Sequence, residues 1–338
     1  MNSHIRSNAL LLVLSVVLCS VIYPGALLLV GQTVFHDKAE GSILYDKDGK
    51  AVGSRLIAQP FSGEGYFQPR PSAASYNAAA SGASNWGANN YLLRDRVARA
   101  LGPIVKYAGS RRGQPVAPDV EAWFQQDQYQ GQPGIVAQWA SAHSTLASNW
   151  AKADPLNGAY VMAWAGDHTD EVDQWKKENN NPEPKPEDLA GIFFASFSNE
   201  HPGMFPGTVE AAGEDGKTEK KIEPVKEGSD IQAIFFDMWR QEHPNEELEP
   251  VPADMVMASG SGLDPHITLK NGLYQLDRVA AKRAADAKRG VEEVRKEIEA
   301  ILQQKKEAPL GGLVGVDLVN VLEVNLALRE KYGSGETK

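Results

Sequence analysis

Val251-Pro-Ala-Asp-Met-Val-Met-Ala-Ser-Gly-Ser-Gly-Leu-Asp-Pro-His-Ile267 is the stretch on which the fold turns. A short apolar run predicts a strand, Ser259-Gly-Ser-Gly262 a hinge, and Asp264-Pro265 a helix start. Aspartate is a favoured N-cap, and proline fits a first helical turn because its missing N–H costs nothing there. Ser261, Asp264 and His266 lie within six residues, which invites a catalytic reading. A nucleophile triad is assembled in space, however, and Gly-Ser-Gly lacks the nucleophile-elbow pattern. The reading is a structural turn, with no catalytic residue assigned.

Working outward, 42% of the 338 residues are hydrophobic, enough for one large or two modest cores. The formal net charge of −10 excludes nucleic acid as a partner, since phosphate binding needs a basic surface. Cys19 is the single cysteine and sits in an apolar run, so neither an intrachain disulfide nor a cysteine metal site can form. It reads as a small buried hydrophobe. No metal cluster, phosphate loop or nucleophile–base pair stands out elsewhere.

Residues 9–30 are uncharged, and as a helix they would run about 33 Å against a hydrocarbon core of about 30 Å. A signal peptide has a shorter apolar region and a small-residue cleavage site, which is lacking here, so this is a permanent anchor. Arg6 precedes the span, while Asp37, Lys38 and Glu40 follow it without net positive charge. The positive-inside rule puts residues 1–8 in the cytoplasm and the body outside, in a bacterial inner membrane. Pro24-Gly25 should kink the span.

Beyond the anchor, Gly41–Tyr45 and Ala51–Ile57 flank Asp46-Lys-Asp-Gly-Lys50 and predict a hairpin. Phe67 to Asn90 is rich in Pro, Ser, Ala, Asn and Gly and predicts irregular chain docked on something. Ile135, Trp139, His143, Leu146 and Trp150 mark one helical face; Val161, Trp164, His168, Val172 and Trp175 mark another. Both histidines could ligate a metal, but core or rim positions suit them better. Residues 179–186 read as a linker, and 210–230, charged and poor in apolar residues, as mobile chain. Gly191-Ile-Phe-Phe194 and Ala233-Ile-Phe-Phe236 are a faint echo. Leu269, Leu273, Leu276 and Ala280 predict a helix that Thr268 can cap; Val291 to Ile301 predicts a second, and Val319–Leu328 a buried helix or strand.

Several of these blocks together resemble one family. Val52-Gly-Ser-Arg-Leu-Ile57, Tyr66-Phe-Gln-Pro-Arg-Pro-Ser-Ala73, Ser81-Gly-Ala-Ser-Asn85, the 251–267 stretch, Tyr274-Gln-Leu-Asp-Arg-Val-Ala280 and Val319–Leu328 resemble, in order, the C subunit of the Kdp potassium-transporting P-type ATPase. The likeness covers roughly residues 5–102 and 249–330, with Ala83 where a glycine is usual. It implies a transmembrane helix (9–30) and a mixed α/β (α+β) extracytoplasmic domain in two parts (31–102 and 249–332). Residues 103–248 form a helical, Trp-rich insertion, and 333–338 a tail.

The resemblance further implies an accessory, non-catalytic subunit that aids assembly and serves as a catalytic chaperone. Its partners would be a potassium-channel-like subunit, a P-type ATP-hydrolysing subunit and the lipid bilayer. Structural or subunit-contacting residues would be Gly53, Ser54, Tyr66, Phe67, Arg70, Pro71, Ser72, Tyr76, Asn77, Ser81, Gly82, Ser84, Asn85, Gly260, Gly262, Asp264, Pro265, His266, Arg278, Asn320 and Asn325. ATP is the cofactor it allows, through Gln275 with Ser259 and Ser261, since a Gln amide can pair with adenine. Against this, Gln275 falls on the polar side of its helix as a solvated residue, and an outside body would meet little ATP. The alternative is an anchored extracytoplasmic hydrolase or binding protein working through the Trp-rich insertion.

Overall fold

The computed structural model describes residues 2–46, 48–61, 63–127, 133–212 and 218–333. The chain divides into two compact units, Met1–Asn85 with Pro252–Lys338, and Trp86–Val251. The observed fold class is the expected one: an N-terminal apolar helix with a body of mixed helix and sheet.

The apolar helix is longer than its uncharged stretch. Asn2–Val17 and Tyr23–Val34 are α-helical and are joined through a π-helical turn, Leu18–Ile22. Proline donates no backbone N–H, and the wider turn just before Pro24 is where the helix absorbs that loss. His4–Val34 is long and apolar enough to cross a membrane, with a mean hydropathy of 2.4 and nothing buried against the rest of the chain. Cys19 is exposed on it rather than buried.

In the first unit, Ile43–Tyr45 and Ala51–Ser54 pair antiparallel as the expected hairpin. The Asp46 carboxylate accepts from the N–H groups of Asp48 and Lys50 at 3.0 and 2.9 Å; Lys47 lies outside the described residues. The core lies among Leu269–Ala287, Val291–Gln304 and Val321–Tyr332 and a three-stranded antiparallel sheet. In that sheet Leu318–Asn320 runs between His266–Thr268 and Lys306–Glu307. The choice between helix and strand over 319–328 resolves as both. Val319 is in the strand, and the Asn320 amide then caps the helix by accepting from Glu323 N–H at 3.2 Å.

Two expectations for the opening stretch are corrected. The apolar run is no strand: Ala253–Val256 is a short helical turn, and Asp254 accepts from the Thr268 N–H at 2.7 Å and from its hydroxyl at 3.2 Å. Asp264-Pro265 does not start a helix either. Asp264 accepts from His266 N–H at 3.0 Å in a local turn, and the Pro265 carbonyl accepts from Val321 N–H at 3.0 Å, which draws 266–268 into the sheet. The helix begins three residues on, where Thr268 accepts from Asn271 N–H at 3.1 Å, the cap that the leucine spacing required.

In the second unit both expected long helices are interrupted. Ile135–Ala142 stops at His143 (φ −127°, ψ 49°) before Ser144–Ala153, and Pro155–Asp167 stops at His168 (φ −116°, ψ 45°) before Thr169–Asn179. Pro186–Glu200 and Ser229–Glu242 likewise end at His201 and His243. A last helical turn leaves carbonyls without partners. His168 and His243 close their helices with their own N–H, each 3.0 Å from the carbonyl of Trp164 or Trp239; Nδ1 lies 2.9 and 2.8 Å from the same carbonyls, and the rings stack on those indoles. Hence the Phe-Phe echo is longer than four residues: Gly191–Pro202 and Ala233–Pro244 both read [GA]-Ile-Phe-Phe, an aromatic, then Glu-His-Pro.

Residues 210–230 are also not mobile chain throughout. Phe205–Ala212 and Thr218–Val225 pair in full antiparallel register, with Glu210 opposite Lys220 and Ile222 buried. Opposite charges facing across strands stabilise a hairpin; residues 213–217 lie outside the described residues. The insertion is therefore not wholly helical.

Candidate functional site

The predicted motif residues come from two ends of the sequence, and the structure brings most of them together in the first unit. Residues 55–61 and 63–85, without regular structure, cross the helices and sheet built by 252–333, and buried or half-buried side chains hold them there. Asn325, fully buried, donates from Nδ2 to the Phe67 carbonyl and accepts at Oδ1 from the Phe67 N–H, both at 2.9 Å. Gln275, also buried, does the same to Gln68, accepting at 2.8 Å and donating at 3.0 Å. Arg278 donates to the carbonyls of Glu64 and Tyr66 at 2.7 and 3.0 Å. Asn320 donates to the Arg55 carbonyl at 2.8 Å. Each bond satisfies main-chain groups of an irregular segment that no helix or sheet partner could satisfy.

The hinge is held in the same way. Ser259, buried, donates its N–H to the Pro71 carbonyl at 3.2 Å, and Ser72 donates its hydroxyl to the Gly262 carbonyl at 2.6 Å. Gly82 N–H and the Ser81 hydroxyl both reach the Ser261 carbonyl, at 2.9 and 3.1 Å. Gly262 has a left-handed φ of 71°, and a Cβ there would lie 2.9 Å from both Ala74 Cβ and the Gly82 carbonyl, so only glycine fits. At Gly53, with φ 153°, a Cβ would meet only the ends of the Gln59 and Leu322 side chains, at 2.6 and 2.9 Å, which can move aside. Tyr76 donates its hydroxyl to the Arg70 carbonyl at 2.8 Å, and Ser54 donates to the Gly41 carbonyl at 2.6 Å. Asn77, Gly260 and Asn85 are exposed and Ser84 is half-buried, so these four sit at the margin.

Asp264 is the electrostatic centre. Arg70 approaches it at 3.3 Å, and His266 Nδ1 lies 3.3 Å from its other oxygen, with Glu307 4.0 Å from His266 Nε2. The histidine hydrogen bond holds the Asp264 carboxyl below its usual range, and the carboxylate in turn raises His266 above 6.5. A raised histidine stabilises the fold below its unfolded pKa and stops doing so as pH rises through the folded one. A depressed aspartate does so above 3.8 and stops as pH falls. The pair therefore supports the fold chiefly between about pH 4 and 6.5. Thermal unfolding should show the first unit more stable at pH 5.5 than at pH 8, with the difference shrinking in His266→Gln. An equal difference in that variant would assign it to other groups.

Chemically, the site is a clasp. The Ser261 hydroxyl accepts from Leu263 N–H at 3.1 Å, whereas Asp264 pairs with His266 and Arg70. Gln275 is not solvated as expected, and both ends of its amide are engaged, Nε2 also bonding Asn271 Oδ1 at 2.7 Å. Sequence reasoning missed Asn271 and Arg283, both buried; Arg283 donates to Gly65 and Gly333 carbonyls at 2.8 and 3.1 Å. The signal was available. Asn271, Gln275, Val279 and Arg283 recur every four residues on the face that also carries Leu276 and Ala280, so polar groups there must be buried.

In the second unit the six insertion tryptophans belong to its core. Trp139, Trp164 and Trp239 are buried, and Trp123, Trp150 and Trp175 pack against them. Trp139 meets Phe194 and Phe205 edge-on at 5.2 and 5.8 Å. His143 is half-buried at its helix end, and His168 Nε2 lies 3.0 Å from Glu200.

Comparison with known proteins bears on both units. Residues 5–122 and 216–330 match the family described as KdpC, the K+-transporting ATPase c chain. The chain belongs to the KdpC family. It is similar to the potassium-transporting ATPase KdpC subunit of Pseudomonas syringae pv. tomato, 38% identical over 135 residues, 36% of this chain and 71% of the relative. The Pseudomonas putida (strain W619) KdpC subunit is 44% identical over 98 residues, 29% and 54% respectively. The KdpC subunit of Geobacter sulfurreducens is 49% identical over 90 residues, 26% and 48%. The chain thus spans about half the length of most of these relatives. The KdpC match ends at 122 and resumes at 216, inside the stretch set apart as insertion. The second unit begins earlier, at Trp86, and includes the Tyr91–Leu101 helix.

Proposed function

We propose that this KdpC chain is the accessory C subunit of an ATP-driven potassium uptake complex, working beside a channel-like subunit and a P-type ATP-hydrolysing subunit. Its role is to assemble and steady the complex and so support ATP hydrolysis by its partner. It supplies no catalytic group itself. The observation that carries this reading is the clasp: family-like blocks from 53–85 and 259–325 fold into one body, on a chain that begins with an apolar helix. That helix inserts with residues 1–8 in the cytoplasm, leaving the body that follows it outside, as the charge difference across the span favours.

This body acts by contact rather than by binding nucleotide. Adenine recognition by Gln275 would require the amide that now satisfies Gln68, leaving main-chain groups unpaired in a buried setting. The test is co-purification from native membranes in mild detergent. A tagged chain should bring down a potassium-channel-like protein and a P-type ATPase, and its removal should lower potassium-stimulated ATP hydrolysis. Recovery of the chain alone would support an anchored protein working on its own.

A further inference from the structure

Four helices of the second unit end in one way. Ile135–Ala142, Pro155–Asp167, Pro186–Glu200 and Ser229–Glu242 stop at His143, His168, His201 and His243, each with an aromatic residue four positions earlier. In every case the histidine N–H closes the helix on the carbonyl of that aromatic residue, at 2.8 or 3.0 Å. Among the described residues, His168 alone of the four has a carboxylate on its far ring nitrogen.

That difference sets its protonation state. Nδ1 of His168 lies 2.9 Å from the Trp164 carbonyl, and Nε2 lies 3.0 Å from Glu200 Oε1. A neutral imidazole has one N–H and would turn the lone pair of its other nitrogen on an acceptor, whereas the imidazolium donates to both. A charged ring also suits the negative end of a helix dipole and the face of the Trp164 indole, stacked 4.8 Å away. The charges acting on the ring are carboxylates, Glu200 at the end of 186–200 and Glu171 in the first turn of Thr169–Asn179. Asp167 and Asp170 flank it in sequence and are exposed. Tyr160, on the helix that His168 ends, stays neutral, since burial and then Glu200 and Glu223 push its hydroxyl up. Lys221 in turn holds Glu223 at 2.6 Å. Burial opposes charge on His168, but the Trp164 carbonyl and Glu200 outweigh it, so the ring titrates above 6.5.

The pair sits where it can move something. His168 is the break between 155–167 and 169–179, and Glu200 is the last residue of 186–200, so one ion pair joins two helix ends. Beyond the break, Thr169–Asn179 buries Val172 alone, with Trp175 partly covered. A cleft of about 430 Å³, lined by Met162, Ala165, Gly166, Val172, Lys176 and Leu189 among others, lies beside it. A helix with so little buried surface is among the first parts of a fold to detach. We propose that His168 and Glu200 are a proton-operated catch on the second unit. With the imidazolium in place, Thr169–Asn179 is held at the end of 186–200. When the ring gives its proton to solvent, the joint loosens and the cleft opens.

The test uses the full chain in detergent with Cys19→Ser and spin labels at Lys177→Cys, on the held helix, and Ala195→Cys, on the helix that holds it, both exposed positions. Double electron–electron resonance should give one narrow distance at pH 5.5 and a broad distribution at pH 9, on either side of the histidine range. Glu200→Gln should stay narrow at both, because an amide accepts from the charged ring and donates to the neutral one. A distribution broad at both in that variant would still place the catch on this carboxylate, through its charge. His243→Gln alters a matching helix end that has no carboxylate, and should leave the pH response as in the parent chain. Equal distributions at the two pH values in the parent chain would overturn the proposal. So would a change with pH that survives Glu200→Gln, or one that disappears in His243→Gln, since either would belong to another titrating group.

Discussion

Replacing Asn325 by leucine should destabilise the first unit by about 3 kcal/mol, because it leaves two buried main-chain groups of Phe67 unsatisfied. Asn325 is fully buried, and its amide is matched to Phe67 at 2.9 Å on both sides. Leucine branches at Cγ as the amide does and is larger, so no cavity opens, and the main loss is the cost of stranding an N–H and a C=O at about 1–3 kcal/mol each. Phe67 itself is fully buried in the core cluster, so water cannot replace the amide without displacing the ring. For a body of this size the midpoint of thermal unfolding should fall by about 10 °C. Differential scanning of the full chain in detergent would show it in the transition of the first unit. A shift corresponding to less than about 1 kcal/mol would mean that the segment is held by apolar contact alone.

Val17→Arg should reduce stable membrane insertion by roughly a hundredfold, since a central arginine costs about 2.5–3.5 kcal/mol and each 1.4 kcal/mol is a factor of ten. Val17 stands near the middle of His4–Val34 and next to the π-helical turn at Leu18–Ile22. From that depth a long side chain cannot easily reach either interface, so snorkelling gives limited relief. The measurement is the fraction of chain resisting carbonate extraction. Unchanged recovery would place Val17 away from the hydrocarbon core.

What could be read from the sequence divides along physical lines. The apolar helix, the 43–54 hairpin, the Thr268 cap and the leucine-spaced helix follow from local rules of hydropathy, turn residues and capping, and all appear in the structure. Asp264-Pro265 misled because a local side-chain turn and a helix cap use the same residue types; the partner that decides between them, Val321, is over fifty residues away. Trp139–Trp150 and Val161–Trp175 misled because periodicity of side chains persists across a break in the backbone. The break itself is written only in the histidines at the helix ends. The 205–225 hairpin was hidden by its charges, which read as solvated chain until strand pairing sets Glu210 opposite Lys220.

The clasp was half legible. Its residues were named through family likeness, but which of them touch could not be known. Gln275 reads as solvated from its polar type, whereas its helix position beside Leu276 and Val279 buries it against Gln68. Contacts across some two hundred residues of intervening sequence carry no local signal.

The claim at the centre of this account is that 1–85 and 252–338 close into one KdpC body without help from the unit between them. Replacing Trp86–Val251 by a short Gly/Ser linker and measuring amide hydrogen exchange at Phe67 and Gln68 tests it most directly, because those N–H groups are held only by Asn325 and Gln275 from the other part of the chain. The account predicts that both amides stay as protected in the shortened chain as in the full one. Rapid exchange at both would contradict it, showing that the clasp closes only when residues 86–251 are present.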